Sequence, residues 1–219
     1  MAYTTFGSIT TGSGTGNLNI IQQSVRVHPA QPKLRLVDLP GADGDIDLTE
    51  ALGLGVKYKS RKIEWVFALY PGQDWATKRT EVANALDGKR LAIVLSEDST
   101  HTYNGRVSVK DYARDRLLYQ ITVEAICDPF GLLAASTVNV ALTTSFQTKQ
   151  ITTRGRPIVP TFTTDVAAVV QYGGVNYSLS PGTSQIPQVV LPPKTTSSIK
   201  VKGEISSGSM TINYQNGDL

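Results

Sequence analysis

Cysteine, histidine, tryptophan and methionine are all scarce in this 219-residue chain, at one, two, two and two copies. A lone Cys127 excludes an internal disulfide, so an oxidising compartment is not needed to explain stability. With His28 and His101 the only imidazoles, no Cys/His metal cluster of the usual spacing can be assembled. No stretch of about 18 apolar residues occurs, which argues against a membrane-spanning helix. The opening M-A-Y-T-T-F-G-S-I-T-T-G-S-G-T-G is polar and glycine-rich, unlike a secretory leader. Folding in a cytoplasm is the expectation. Charge of one sign is also missing, since 21 basic side chains face 18 acidic ones and are interspersed with them. The longest basic cluster (Lys57, Lys59, Arg61, Lys62) reads as a solvated strand face rather than a nucleic-acid stripe.

What the chain does have is alternation. Ile63, Trp65, Phe67 and Leu69 share one face of a strand, and Val66 and Ala68 make its other face partly apolar. Leu117, Tyr119, Ile121, Val123, Ala125 and Cys127 alternate strictly, which puts Cys127 in a core as a small apolar residue and not a nucleophile. Ile20, Ile21, Val25 and Val27, then Leu34, Leu36 and Leu39, form two extended segments split by a Pro29–Pro32 turn. One helix is predicted, over about 75–87, with Asp74 as N-cap and Gly88 just past its end. Trp75, Val82 and Leu86 fall on one face of it, and Lys78, Arg79 and Glu81 are expected to point to water. Leu91–Leu95 reads as a strand, Ser96–His101 as a polar turn and Tyr103–Val109 as a returning strand with Gly105 as a bulge or kink. Lys110–Asp115 is expected to turn again.

The composition changes at Asp128-Pro129-Phe130-Gly131. Thirty charged residues precede position 130, nine follow it, and six of the eleven prolines lie in this second part. It reads as short strands near 136–142, 146–152, 158–163, 166–172, 175–179, 186–191, 197–203 and 209–214, with Tyr172-Gly-Gly-Val175 as a hairpin signal. Many short strands and no helix imply a β-sandwich. The boundary is placed so that residues 1–129 form one domain and 130–219 the other.

Candidate chemistry is thin. Gly12, Gly14 and Gly16 suggest a phosphate cradle, but the following N-L-N-I-I-Q-Q-S-V-R-V is strand-like where a helix is required. Asp43, Asp45 and Asp47 (with Asp38 nearby) have the start of a calcium-loop spacing, yet the sixth and twelfth places hold Leu48 and Leu54 instead of glycine and a bidentate acid. The competing expectation is a tight turn at Pro40–Gly44 leading through Leu48 and Leu52, with the aspartates satisfying backbone donors and Thr49 as a cap. Ser96, Asp98 and His101 sit too close in one turn to line up as nucleophile, base and orienter. Asn176-Tyr-Ser178 matches a glycosylation sequon of no consequence in a cytoplasm. The residues describe no enzyme, no catalytic set, no cofactor site and no metal site.

Three blocks carry a resemblance. They are P-G-A-D-G-D-I-D-L-T-E within Val37–Gly53, the D-G-K-R-L turn after the helix, and the D-P-F boundary. Together with Y-K-S-R-K-I-E-W-V-F and I-T-V-E-A-I-C they cover residues 9 to 130. A weaker match continues through R-P-I-V-P-T-F-T-T, I-P-Q-V-V-L and I-N-Y-Q-N-G-D-L. The chain resembles the distal tail proteins of siphophages, the long non-contractile-tailed bacteriophages. The resemblance implies a mainly β fold: an N-terminal β-barrel-like sheet domain with one α-helix, then a C-terminal galectin-like β-sandwich. It implies a virion structural protein, made in the host cytoplasm, forming a hexameric ring at the distal end of the tail. Such a ring joins the tail tube to the tip or baseplate and leaves a channel for DNA, with no specific nucleic-acid binding. Implied partners are tail-tube protein, tape-measure protein, the tail-tip hub and receptor-binding proteins. Two alternatives stand beside this: a lectin-like carbohydrate-binding module and, lacking any acid/base pair, a cell-wall hydrolase. A sugar platform in the second domain would have to come from Phe130, Phe146, Phe162, Tyr172, Tyr177 or Tyr214.

Overall fold

The computed structural model describes residues 2–41, 43–51, 55–114 and 119–219. It divides into two compact units, Met1–Gly131 and Leu132–Leu219. The fold is mainly β, with a single helix among the described residues.

The first unit contains β1 (Thr4–Phe6), β2 (Ile9–Thr10), β3 (Ile20–Val27), β4 (Leu36–Asp38), β5 (Asp45–Asp47), β6 (Arg61–Leu69), α1 (Trp75–Leu86), β7 (Arg90–Leu95), β8 (Asp98–Arg114) and β9 (Tyr119–Cys127). Seven of these strands run in the order β2-β1-β7-β8-β9-β6-β3. The two ends of that sheet meet: Leu18 N–H donates to Thr10 O and Ile20 N–H to Thr11 O, both at 2.9 Å. A sheet joined to its own far edge has no free edge there, which gives a barrel-like wall. Inside, Trp65 packs edge-on against Phe6 at 5.1 Å between ring centroids. Its indole N–H donates to Thr4 Oγ1 (3.0 Å), which in turn donates to Gln22 Oε1 (2.7 Å). The only polar group on the largest buried ring is thus satisfied.

The alternation of β6 is realised: Ile63, Trp65, Phe67 and Leu69 are buried, and so is Ala68 on the other side. β9 buries Ile121, Val123, Ala125 and Cys127, whereas Leu117 lies outside the described residues. Helix α1 has Asp74 accepting the Thr77 N–H at 2.8 Å, and Gly88 takes a φ of +71°, the left-handed value that favours glycine past a helix end. Val82 and Leu86 seal the barrel interior while Trp75 stacks on Tyr119 at 4.9 Å.

Three expectations in this unit are corrected. Lys78 does not face water: its ammonium donates to Leu18 O (2.9 Å) and Glu81 (2.6 Å), and the side chain is buried. A long aliphatic stem lets the charge reach a carbonyl left over where β3 begins. The polar turn shrinks to Ser96-Glu97, because β8 starts at Asp98 and continues through Arg114. Gly105 is not the bulge; the ladder slips at Lys110, between Val109 and Asp111. Gly105 marks a close approach instead, since a Cβ there would lie 2.4 Å from Cys127 Sγ.

The second unit contains β10 (Gly131–Leu142), β11 (Gln147–Thr152), β12 (Thr161–Thr164), β13 (Ala168–Tyr172), β14 (Val175–Leu179), β15 (Gly182–Gln185), β16 (Thr196–Gly203) and β17 (Gly208–Asp218). One sheet runs β15-β12-β17-β10 and the other β11-β16-β13-β14. Both contribute to one core, with Leu142, Phe162 and Ile212 from the first and Ile151, Val170 and Val201 from the second. That is a β-sandwich. The β13–β14 hairpin turns on Gly173 (φ +58°) and Gly174 (φ +82°), the pair of positive values a two-residue hairpin turn requires. The segment 186–191 is not a strand. Pro187 cannot donate to a ladder, the chain turns through Val189 N–H to Ile186 O, and only a single bridge joins Leu191 to Ile158. Its apolar pattern still serves the core, because Ile186, Val189 and Leu191 are buried.

Candidate assembly surface

The feature that the barrel does not account for is the excursion between β3 and β6. His28 N–H still donates to Lys62 O at 2.9 Å, and beyond that pair the chain leaves the wall. A stem follows, fastened by Lys59 N–H to Gln31 O (2.7 Å), Lys33 N–H to Lys57 O (2.7 Å) and the Pro32–Tyr58 bridge. Farther out, Leu48 N–H donates to Arg35 O, and β4 pairs with β5 as Leu36–Asp47, Val37–Ile46 and Asp38–Asp45. The two strands form a sheet of their own.

Every described residue from Gln31 to Leu48 is exposed. Fifteen large hydrophobic side chains are exposed among the described residues, and eight of them fall between Val27 and Val56. They are Val27, Leu34, Leu36, Val37, Leu39, Ile46, Leu48 and Val56, with Leu34 59% exposed. Single exposed aliphatics are ordinary; a concentration of this kind on one arm marks a contact surface. A hydrophobic patch on a ribbon whose outer strand edges are unpaired is prepared for another chain.

The aspartates of the arm take structural parts. Asp47 Oδ1 accepts the Thr49 N–H at 2.8 Å, which together with the Thr49 hydroxyl holds its carboxyl below the usual carboxylate range. Thr49 Oγ1 accepts the Arg35 N–H at 2.9 Å. These bonds are the backbone-satisfying role expected of an aspartate-rich turn and of Thr49. The arm is a strand hairpin, however, rather than a tight turn leading into a helical one; Ala42, Leu52 and Leu54 lie outside the described residues. Asp38 and Asp45 face each other across it. No group of three or more potential metal ligands occurs among the described residues.

The remaining sequence candidates are dispersed. Asp98 accepts from His101 Nδ1 (2.7 Å), the Tyr103 hydroxyl (2.8 Å) and Thr100 Oγ1 (3.0 Å), while Ser96 Oγ accepts the Tyr3 N–H. Desolvation opposes ionisation of Asp98, but its three donors outweigh that and lower its pKa. This cluster ties a hairpin end to the barrel. Burial pushes the Cys127 thiol up to about 12, so it remains a neutral core group. His28 lies 2.9 Å from Glu64, which also pairs with Lys62 at 2.6 Å; Lys62 reaches Glu124 at 2.9 Å, and Lys110 completes a charged ladder on the outer barrel face. In the sandwich, Phe162 is buried, and Tyr172, Tyr177 and Tyr214 pack on the core margin. Phe146 is exposed, with the Lys202 ammonium 5.0 Å from its ring centre. Sequence reasoning located the arm stretch but not its apolar exposure. The signal was present: Leu34, Leu36, Val37 and Leu39 do not alternate cleanly, as a half-buried strand would.

The architecture defines a class: a two-unit, mainly β protein with a helix-sealed barrel followed by a sandwich. No family model and no curated protein matches the sequence. Among solved structures, the chain is similar to the SPP1 Dit (gp 19.1) protein, described as a paradigm of hub adsorption apparatus in Gram-positive-infecting phages. The TM-score is 0.68 at 15% sequence identity, with all of both chains covered. The resemblance read from the sequence is therefore met at the level of the fold. A de novo designed double-stranded β-helix also matches, at a TM-score of 0.28 and 11% identity over 38% of this chain and 99% of that one, and carries no argument.

Proposed function

We propose that this chain is a structural hub protein of a siphophage tail tip, with no enzymatic activity. Six copies close into a ring that joins the tail tube to the tip or baseplate and leaves a channel for DNA. The observation that carries this reading is the exposed apolar arm, Gln31 to Leu48, on a unit that is otherwise well packed. A two-stranded hairpin alone is marginally stable in water, so an arm of this kind is completed by the surface it lies on. In the proposal that surface belongs to the neighbouring copy, and each arm reaches to the next subunit. A head-to-tail contact of this type closes into a ring when its rotation is an integral fraction of a turn. Obligate contacts usually bury ~2,000 Å² or more, and the arm supplies the apolar part of such an area. The fold shared with the phage hub protein supports the same reading.

Within it, residues 1–129 build the ring and 130–219, the galectin-like sandwich, face outward to tip and receptor-binding proteins. Tail-tube, tape-measure and tail-tip hub proteins are the other partners, and the protein's place is the virion. Purified protein imaged by negative stain, alone and with tail-tube protein, should show six-membered rings. Native mass should give a species six times the 23.6 kDa chain. Replacing Leu36 and Ile46 together by aspartate should remove the rings while leaving the circular dichroism of the barrel intact. A chain that stays monomeric at every accessible concentration and forms no ring with tube protein would sink the proposal.

A further inference from the structure

A second feature lies at the seam where the barrel wall meets itself. A cleft of about 480 Å³ is lined there by the β1–β2 hairpin, the Gly12–Asn17 turn, the start of β3 and Tyr70 at the end of β6. That volume is within the ~300–1,000 Å³ of small-molecule sites. No Asp, Glu, Lys, Arg or His lines it. An uncharged wall gives a phosphate, a carboxylate or a metal ion nothing to offset its desolvation.

The polar groups facing this cleft are of a particular kind. Tyr3 is 45% exposed; its N–H is used by Ser96, but its hydroxyl makes no hydrogen bond. Gln22 spends its Oε1 on Thr4 and leaves its NH2 without a protein partner among the described residues. Asn17 donates to Ser13 O and leaves its carbonyl oxygen unused. Thr5 and Thr10 share one hydroxyl–hydroxyl contact at 3.3 Å. The cleft therefore offers a donor, an acceptor and groups that can do either, beside the face of an aromatic ring. Hydroxyl groups fixed on a small ring with exposed C–H faces complement such a set, because each hydroxyl both donates and accepts.

We propose that this cleft binds a neutral saccharide, one or two pyranose rings in length, stacked on Tyr3. Gln22 Nε2 donates to a ring hydroxyl, Asn17 Oδ1 accepts from another, and Tyr3 supplies the stacking surface and its own hydroxyl. The site is in the barrel unit and does not use the aromatic residues of the sandwich. It stands apart from ring formation, because the arm variants leave it unchanged.

The test uses the full chain with tyrosine-labelled NMR and three probes: maltotriose, tri-N-acetylchitotriose and N-acetylneuraminic acid. The expected result is a saturable shift with at least one neutral probe, confined among the nine tyrosines to Tyr3 and Tyr70, and a response to the charged sugar at least about tenfold weaker, a tenfold step being one decade of affinity. Tyr3→Ala should weaken binding about tenfold with the unfolding midpoint unchanged, and Tyr3→Phe, which keeps the ring, should cost less. Gln22→Glu, placing a charge in the neutral wall, should weaken the neutral probes as well. No saturable shift with either neutral probe, equal binding by Tyr3→Ala, or equal binding of the charged sugar would overturn the proposal. Rings observed without sugar binding would overturn this inference and leave the hub reading in place.

Discussion

The barrel wall and the arm are built from the same residue types, yet they solve opposite problems. In β6, Ile63, Trp65 and Phe67 alternate with Lys62, Glu64 and Val66, so one face is buried and the other carries the charged ladder. In the arm, Leu36, Val37 and Ile46 cover both faces of a two-stranded ribbon and all three are exposed. Apolar content alone therefore does not decide burial; what decides it is whether a second layer of the same chain reaches the apolar face. The wall has helix α1 and the opposite strands. The arm has nothing of its own.

The sharpest way to stress the wall is Trp65→Ala. The indole is fully buried, packs on Phe6 and donates to Thr4, so its removal leaves a cavity and strands Thr4 and Gln22. A loss of about 3–5 kcal/mol is expected in chemical denaturation of the first unit. A loss under about 1 kcal/mol would mean that the wall is not close-packed there. Gly105→Ala comes next. An added methyl would lie 2.4 Å from Cys127 Sγ and 2.9 Å from Cys127 Cα, with backbone on one side and core on the other. The β8–β9 ladder has to shift to admit it, and about 1–3 kcal/mol of destabilisation should follow. Had Gly105 been a bulge, alanine would be tolerated, so the same measurement separates the two readings of that glycine.

These two sites also show where the sequence speaks and where it falls silent. Trp65 was legible because period two over Ile63–Leu69 is a local signal, and the same holds for α1 with its Asp74 cap and for the Gly173-Gly174 hairpin. Gly105 was misread because a close approach between β8 and β9 is a property of pairing that no window along the chain contains. Lys78 was misread because burial of a charged stem depends on Leu18, sixty residues away. Residues 186–191 look like a strand by apolarity, and Pro187 with Pro192 and Pro193 gave the warning that their ladder would fail. The arm is the extreme case: its position and aspartates were plain, but exposure of its leucines is a statement about a surface supplied from elsewhere.

A gentler perturbation acts on the outer face of the wall. Lys62 first, then His28, hold the Glu64 carboxyl at about 2, well below its ordinary 4.5. A depressed carboxylate contributes stability that is complete above its unfolded value and lost as pH falls through the folded one, so the window runs from about 4.5 down to about 2. Glu64 is about one-third exposed, which reduces the contribution to that of a surface ion pair, ~0–1 kcal/mol. Glu64→Gln should lower stability slightly at neutral pH, and the gap from the native protein should close near pH 2. A gap that persists at that pH would assign the effect to packing instead of charge.

The smallest effect on the isolated chain belongs to the arm, and it is the most informative. Leu36 and Ile46 are exposed, touch no core cluster, and sit on a hairpin whose strands pair only with each other. Truncating both to alanine at low protein concentration should therefore change unfolding free energy by no more than about 0.5 kcal/mol, the ordinary range for surface sites. The same double substitution should raise the concentration at which assembled species form, since each buried leucine or isoleucine contributes roughly 1.5–3 kcal/mol when a partner covers it. In a closed ring every copy carries the loss, so the midpoint of assembly should move by well over a decade in concentration. Sedimentation velocity across a dilution series, run beside the denaturation curves, reads both quantities on one preparation. If monomer stability drops by several kcal/mol instead, the arm folds back on its own barrel in solution, and the contrast between the two regions disappears.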